Sequence, residues 1–337
     1  MAKSKIVKVR YFTKDKLNKI SPKNLKYYEK YLQSNIIKNR EVKDTTYKTY
    51  KNFFMHWLAF LAERYDNIDL YSDEFMENAV DIMEDYIAFC QDVLHNNKKV
   101  INTKLSAVSS FYIWSMKRGF IKAHPFDNKL DRMKNAQDEH IINSYFLTPE
   151  QVQKIRLELS TNDEYDIQDQ IIFEVAYDSA NRLGALERLT LSSLDLDEMV
   201  FRDIREKRAQ YVEVVFEERA KELIAEWLEM RKDGYDKLEC DALFITKYKG
   251  EYRPMSRETI YNRVRKIGKI VGIDDFRPHC IRKSRLNNIY EETGDLTLAA
   301  ELANHQSTET TRSAYIKPMS KTEIRDKINA LRNKKEN

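Results

Sequence analysis

Pro278-His279-Cys280-Ile281-Arg282 sets an imidazole and a guanidinium three residues apart, just behind a proline. Proline suits the first turn of a helix, where its missing N–H would have no partner. Positions i and i+3 of a helix share a face, so His279 and Arg282 point the same way. A metal centre would need further ligands at matching spacing, and the sequence offers none nearby. Downstream comes Asn304-His305, then Tyr315 ten residues after His305, with Thr308, Thr310 and Thr311 between. A lone tyrosine there would ordinarily be packing. Upstream, Arg182 interrupts the run Ser179-Ala180-Asn181-Arg182-Leu183-Gly184. A buried guanidinium needs an anion, either a neighbouring carboxylate such as Glu187 or Asp178, or a phosphate.

The surrounding chain reads as mainly helical. It has 337 residues with only 7 Gly and 6 Pro, too few turn formers for an all-β fold, and a length that suggests two domains. Ser21-Pro22 opens a helix running to about Ile37. Tyr50, Phe53, Phe54, Trp57, Leu58 and Leu61 mark one face of a second helix starting near Asp44, and read as core. Further helices follow Ser72 and Lys98, the latter closed by Gly119. His124-Pro125 and the polar stretch to residue 146 read as an exposed linker. The expected division is a helical domain over 1–125, a linker over 126–147 and a second domain over 148–337. Thr148-Pro149-Glu150-Gln151 carries the capping-box pattern, and helical signal continues to about Leu191. Val200–Ile204 and Tyr211–Phe216 flank the charged turn Arg205–Arg208 as a β-hairpin. Helices then resume at 217–232, 256–269, 278–292, 296–304, 308–315 and 321–332.

Charge is uneven. Residues 1–50 hold 14 Lys and Arg against four acids, a net +10, while the whole chain is only +4. Such an arm, with Lys3, Lys5, Lys8 and Arg10 at its start, fits a polyanion partner or a solvated tail. The three cysteines are scattered, with no CxxC pair, which fits a reducing cytoplasm rather than a disulfide framework or zinc site. No apolar stretch approaches membrane-spanning length, so no membrane partner is expected. Without a Gly-rich phosphate loop or a nucleophile elbow, a metabolic enzyme is remote.

Taken together, Arg182, Lys207 on the hairpin, His279-x-x-Arg282, His305 and Tyr315 resemble the active-site order of tyrosine recombinases, the phage integrase family. Residues 1–125, notably Asn102-Thr103-Lys104-Leu105-Ser106-Ala107-Val108, are similar to that family's helical core-binding domain, and 148–318 to its catalytic domain. The resemblance implies a mainly α, two-domain fold whose second domain is mixed α+β with a small hairpin sheet. It implies that Arg182 and Arg282 hold the non-bridging oxygens of a DNA phosphodiester and that Tyr315 attacks it. Lys207 would protonate the leaving 5′ oxygen, His279 would assist proton transfer, and His305 would hydrogen-bond the phosphate. No metal or other cofactor is implied, since cationic side chains fill the role a metal would take. The chain departs from the family in having Ala180 and Asn304 where glycines are usual, and Ala185 where a glutamate is usual.

A narrower likeness is to the master repressors of SPβ-type phages, which have this fold but act as DNA-binding regulators. It makes a sequence-specific repressor that maintains lysogeny the leading expectation, with an active recombinase as the alternative. Either way the partner is double-stranded DNA in a bacterial cytoplasm, at the nucleoid. Lys98, Lys99 and Lys104 would hold phosphates beside the arm, and Arg257, Asn262, Arg263 and Arg265 would face base edges. The helix at 321–332 would pack onto a neighbouring copy or back onto its own chain.

Overall fold

The computed structural model describes residues 11–38, 44–126, 128–134, 145–206, 210–235, 240–318 and 321–333. The chain divides into two compact units, 1–142 and 143–337. Among the described residues the first is all helix: α1 (Lys14–Asn18), α2 (Pro22–Lys38), α3 (Asp44–Arg64), α4 (Asp73–Asp92) and α5 (Lys98–Lys117). Ser72 and Gly119 fall where the sequence places them: Ser72 accepts from the Phe75 N–H, and Gly119 sits at φ 72° beyond α5. Asn97, accepting from the Val100 N–H, caps α5 without having been foreseen. The core is aromatic: Phe54, Trp57, Phe60, Phe75, Tyr86, Phe111 and Tyr112 are all almost fully buried. Burying each such ring contributes on the order of 2–3 kcal/mol, which lets five helices hold together without disulfides. Tyr50 and Phe53, expected in this core, are only half-buried.

The segment expected to be an exposed linker is partly folded onto its neighbours. Phe126 is buried in the first core, and Asn102 grips the backbone of Met133 through both ends of its amide, at 3.0 and 3.1 Å. On the far side, Leu147 is buried in the second core, and its N–H donates to Ser284 Oγ at 2.7 Å. An alternation of charged and apolar residues hid these anchors, because only single side chains are buried.

The second unit is built round one helix. It contains α6 (Pro149–Thr161), α7 (Ile167–Ser179), α8 (Leu183–Leu186), β1 (Leu194–Asp195), β2 (Val200–Arg205), β3 (Tyr211–Val215) and α9 (Glu218–Tyr235). There follow β4 (Ile245–Tyr248), β5 (Glu251–Pro254), α10 (Arg257–Ile270), α11 (Pro278–Thr293), α12 (Leu296–Leu302), α13 (Thr308–Tyr315) and α14 (Lys321–Asn333). Strands β1, β2 and β3 pair antiparallel in that order, and β4 pairs with β5. Helix α7 is buried on every side. The helical signal that runs to about Leu191 is carried by three helices, with breaks at Asn162 and at Ala180. Ala180 lies in the left-handed region at φ 48°, which an L residue enters only at some cost. The β4–β5 hairpin was not foreseen; its turn, Lys249-Gly250, has φ of 51° and 89° at the two central positions. Gly268 of α10 is required by close approach, since a Cβ there would stand 2.0 Å from that of Phe276.

Candidate anion pocket

Three chain reversals bring the expected residues together. Helix α7 ends at Ala180, and Arg182 follows as N-cap of α8. Helix α11 starts at Pro278 and presents Arg282 one turn in, buried to 1% exposure. Helix α12 ends in a Schellman turn: His305 N–H donates to Ala300 O at 3.0 Å and Asn304 N–H to Glu301 O at 2.9 Å. That turn needs a left-handed residue, and Asn304 supplies it at φ 53°. His305 is thereby set facing α11. Tyr315 is the last residue of α13, and the chain beyond it is pinned by Lys317 N–H donating to Asn287 Oδ1 at 2.9 Å.

Arg282 is the hub. It donates through Nη1 to Ala180 O at 2.5 Å and through Nη2 to Ala303 O at 2.7 Å and His305 Nε2 at 2.8 Å. Both carbonyls end helices, where the helix dipole is negative and favours a cation. A guanidinium can only donate, so His305 Nε2 must be the acceptor. The proton of His305 therefore sits on Nδ1, which lies 2.8 Å from Thr311 Oγ1. Burial, followed by the charges of Arg282 and Arg182, pushes the His305 pKa down to about 4. This imidazole is neutral at pH 7, and neither nitrogen is left to donate to a phosphate as expected.

Tyr315 is buried beside the hub. Its ring centroid lies 5.0 Å from that of His279, 4.8 Å from that of His305 and 5.2 Å from the Arg282 guanidinium carbon. His279 is exposed on the first turn of α11. Arg182 keeps 41% of its side chain exposed, and its carboxylate partner is Glu206, not Glu187 or Asp178: Nη1 donates to Glu206 Oε2 at 2.7 Å. Asp178 instead accepts the Glu217 N–H at 2.9 Å. The pocket thus gathers Arg182, His279, Arg282, His305 and Tyr315. Lys207 lies outside the described residues.

Sequence reasoning missed Glu206, which closes the β2–β3 turn with its N–H on Gln210 O at 2.6 Å. It reads there as one more charge of a solvated turn, and no periodicity marks it as buried.

The expected DNA contacts separate. Arg257, Asn262 and Arg265 are exposed on α10. Arg263 is instead held by Asp166 and Asp169 at 2.8 and 2.9 Å, tying α10 to the start of α7. Lys98 and Lys99 are exposed, but Lys104 is 2% exposed and donates to Cys90 Sγ at 3.6 Å, so it cannot reach a phosphate. Lys3, Lys5, Lys8 and Arg10 lie outside the described residues. No helix among the described residues is long and apolar enough to cross a membrane.

The sequence profile of the Phage integrase family matches residues 145–321. The chain is 23% identical over 216 residues to tyrosine recombinase XerC of Corynebacterium glutamicum, covering 64% of this chain and 67% of that protein. The structure of XerH site-specific recombinase bound to difH substrate, a pre-cleavage complex, superposes with a TM-score of 0.61 at 15% identity, covering 88% of this chain and 89% of that one. A lambda integrase dimer bound to a COC′ core site gives 0.61 at 14%, covering 88% and 98%. These likenesses show a shared fold.

Proposed function

The chain belongs to the phage integrase family, and on that premise we propose that it binds a specific double-stranded DNA site and cuts and rejoins it through Tyr315. The observation that carries this is the placement of a tyrosine ring within about one side chain's reach of two imidazoles and a buried guanidinium. In this reading the phenol passes its proton to His279 as its oxygen attacks phosphorus, the P–O5′ bond breaks, and the leaving 5′ oxygen takes a proton from Lys207. Arg182, the reachable guanidinium, holds a non-bridging oxygen. Arg282 acts from beneath, as a fixed positive charge that needs no reorganisation during the reaction. Arg257, Asn262 and Arg265 would face the duplex from α10, and Lys98, Lys99 and the basic arm would hold its backbone. Helix α14 exposes Ile324 and Ile328 one turn apart, which supports its docking on a second copy. Deleting 321–337 should then abolish cooperative filling of paired half-sites but leave single-site binding intact.

The relatives named above are recombinases, which favours strand transfer over the repressor expected from the narrower likeness. One observation keeps occupancy without cleavage as a second reading: both guanidiniums are already engaged inside the protein, Arg282 by helix carbonyls and Arg182 by Glu206. A nicked suicide substrate separates the two. A covalent adduct that disappears in Tyr315→Phe supports strand transfer. Tight, specific binding without an adduct refutes it and leaves the repressor.

A further inference from the structure

The geometry points to Glu206 as an internal counter-anion that holds the phosphate-gripping edge of Arg182 and sets how strongly the pocket takes an outside anion. The inference rests on reading the pocket as an anion site. Its basis is an imbalance in the hydrogen bonds. The Glu206 side chain is only 5% exposed, and one carboxylate oxygen is 2.7 Å from Arg182 Nη1. The other oxygen, Oε1, is buried with no hydrogen-bond partner among the described residues. A carboxylate taken out of water with half its acceptor capacity empty is unfavourable unless cations surround it. Two do. Burial pulls the Arg282 guanidinium below its ordinary pKa; Tyr315 opposes the fall, the positive charge of Arg182 adds to it, and the negative charge of Glu206 opposes it. The three charges form one electrostatic unit: two guanidiniums and one carboxylate, net positive by one.

The exposures then assign the roles. Arg282 is sealed, whereas Arg182 keeps 41% of its side chain open to solvent. An incoming phosphodiester must use Arg182, whose Nη1 is already committed to a buried carboxylate. The phosphate and Glu206 are like charges competing for one guanidinium, so each weakens the other's hold. A side chain kept only for stability would behave differently from such a counter-anion. Removing its charge while keeping its shape should loosen the free protein yet tighten anion binding.

The test is Glu206→Gln in the full-length chain, with inorganic phosphate as the first probe. Without phosphate the variant should melt at a lower temperature than the native chain. Its affinity for phosphate, read from the rise in melting temperature across a titration, should be about tenfold higher. On duplex DNA, the plot of log affinity against log salt should steepen by about one unit, the contribution of one further neutralised phosphate. Phosphate affinity equal to or below that of the native chain overturns the inference, whatever happens to the melting temperature. If Glu206→Gln does not fold, Glu206→Asp, whose carboxylate falls one methylene short of Arg182, should still bind phosphate more tightly; unchanged or weaker binding there overturns it equally. A failure of any variant to bind DNA would instead count against the proposed function, since the phosphate titration reads the pocket alone.

Discussion

Arg282→Met isolates what the buried guanidinium does for the fold. The native side chain satisfies Ala180 O, Ala303 O and His305 Nε2, at 2.5, 2.7 and 2.8 Å. Methionine fills similar space but donates nothing. Two helix-terminal carbonyls and an imidazole nitrogen are then stranded in a site that is 1% exposed. Each stranded acceptor costs about 1–3 kcal/mol. Part of that is returned, because the variant no longer keeps a cation out of water. The net expectation is a loss of about 3 kcal/mol, or roughly 6–12 °C in melting temperature for a unit of this size. Differential scanning calorimetry of the full-length chain in phosphate-free buffer would measure it. A guanidinium kept solely to bind phosphate predicts the opposite sign, since replacing a ligand-binding charge with an apolar group usually stabilises the free protein. An unchanged or raised melting temperature for Arg282→Met would therefore refute the hub described above.

Burial in the second unit pushes the Asp178 carboxyl up to about 7 from an ordinary 3.8, with Glu217 and Glu174 adding to the rise and Arg285 opposing it. A carboxyl whose folded pKa is raised favours the folded state when protonated, so stability falls as pH climbs from about 4 to 7. Asp178→Asn should match the native chain near pH 4 and exceed it above pH 7, by at most about 4 kcal/mol. Urea unfolding at a series of pH values would show a gap that opens with pH, and a constant gap would refute it. Lys104 is buried beside Cys90, and burial lowers its pKa. Lys104→Met should leave DNA affinity and its salt dependence unchanged, by electrophoretic shift across a salt series; a slope lower by about one unit would show that the lysine does reach a phosphate.

Much of this fold is legible because local rules and tertiary packing agree. The serine and threonine caps at 72 and 148, the proline opening α11 and the glycine closing α5 each act through their own backbone, with no help from distant residues. The candidate site was read from its resemblance to the tyrosine-recombinase order; local rules added only that His279 and Arg282 share a helix turn. What could not be read depends on charge balance between elements far apart in the chain. Arg263 looks like a free basic residue until Asp166 and Asp169 are brought to it. Lys104 looks like a surface cation until aromatic rings close round it. Glu206 carries no pattern at all.

At two of the three departures from the family pattern this chain takes a left-handed backbone without a glycine. Ala180 and Asn304 stand where glycine is usual, and both adopt the left-handed conformation, at φ 48° and 53°. Asparagine enters that region readily, so Asn304 completes its Schellman turn at little expense. Alanine does not, and its strain is on the order of 1 kcal/mol. Here the strained residue is the one whose carbonyl receives the Arg282 Nη1 hydrogen bond, so the guanidinium that holds the pocket together also holds Ala180 in place. At the third departure, Ala185 is 0% exposed in the hydrophobic core, where a carboxylate would have no water and no room. The negative charge beside Arg182 arrives instead from the end of β2. In this chain the left-handed turns come from Ala180 and Asn304, and the negative charge beside Arg182 comes from Glu206.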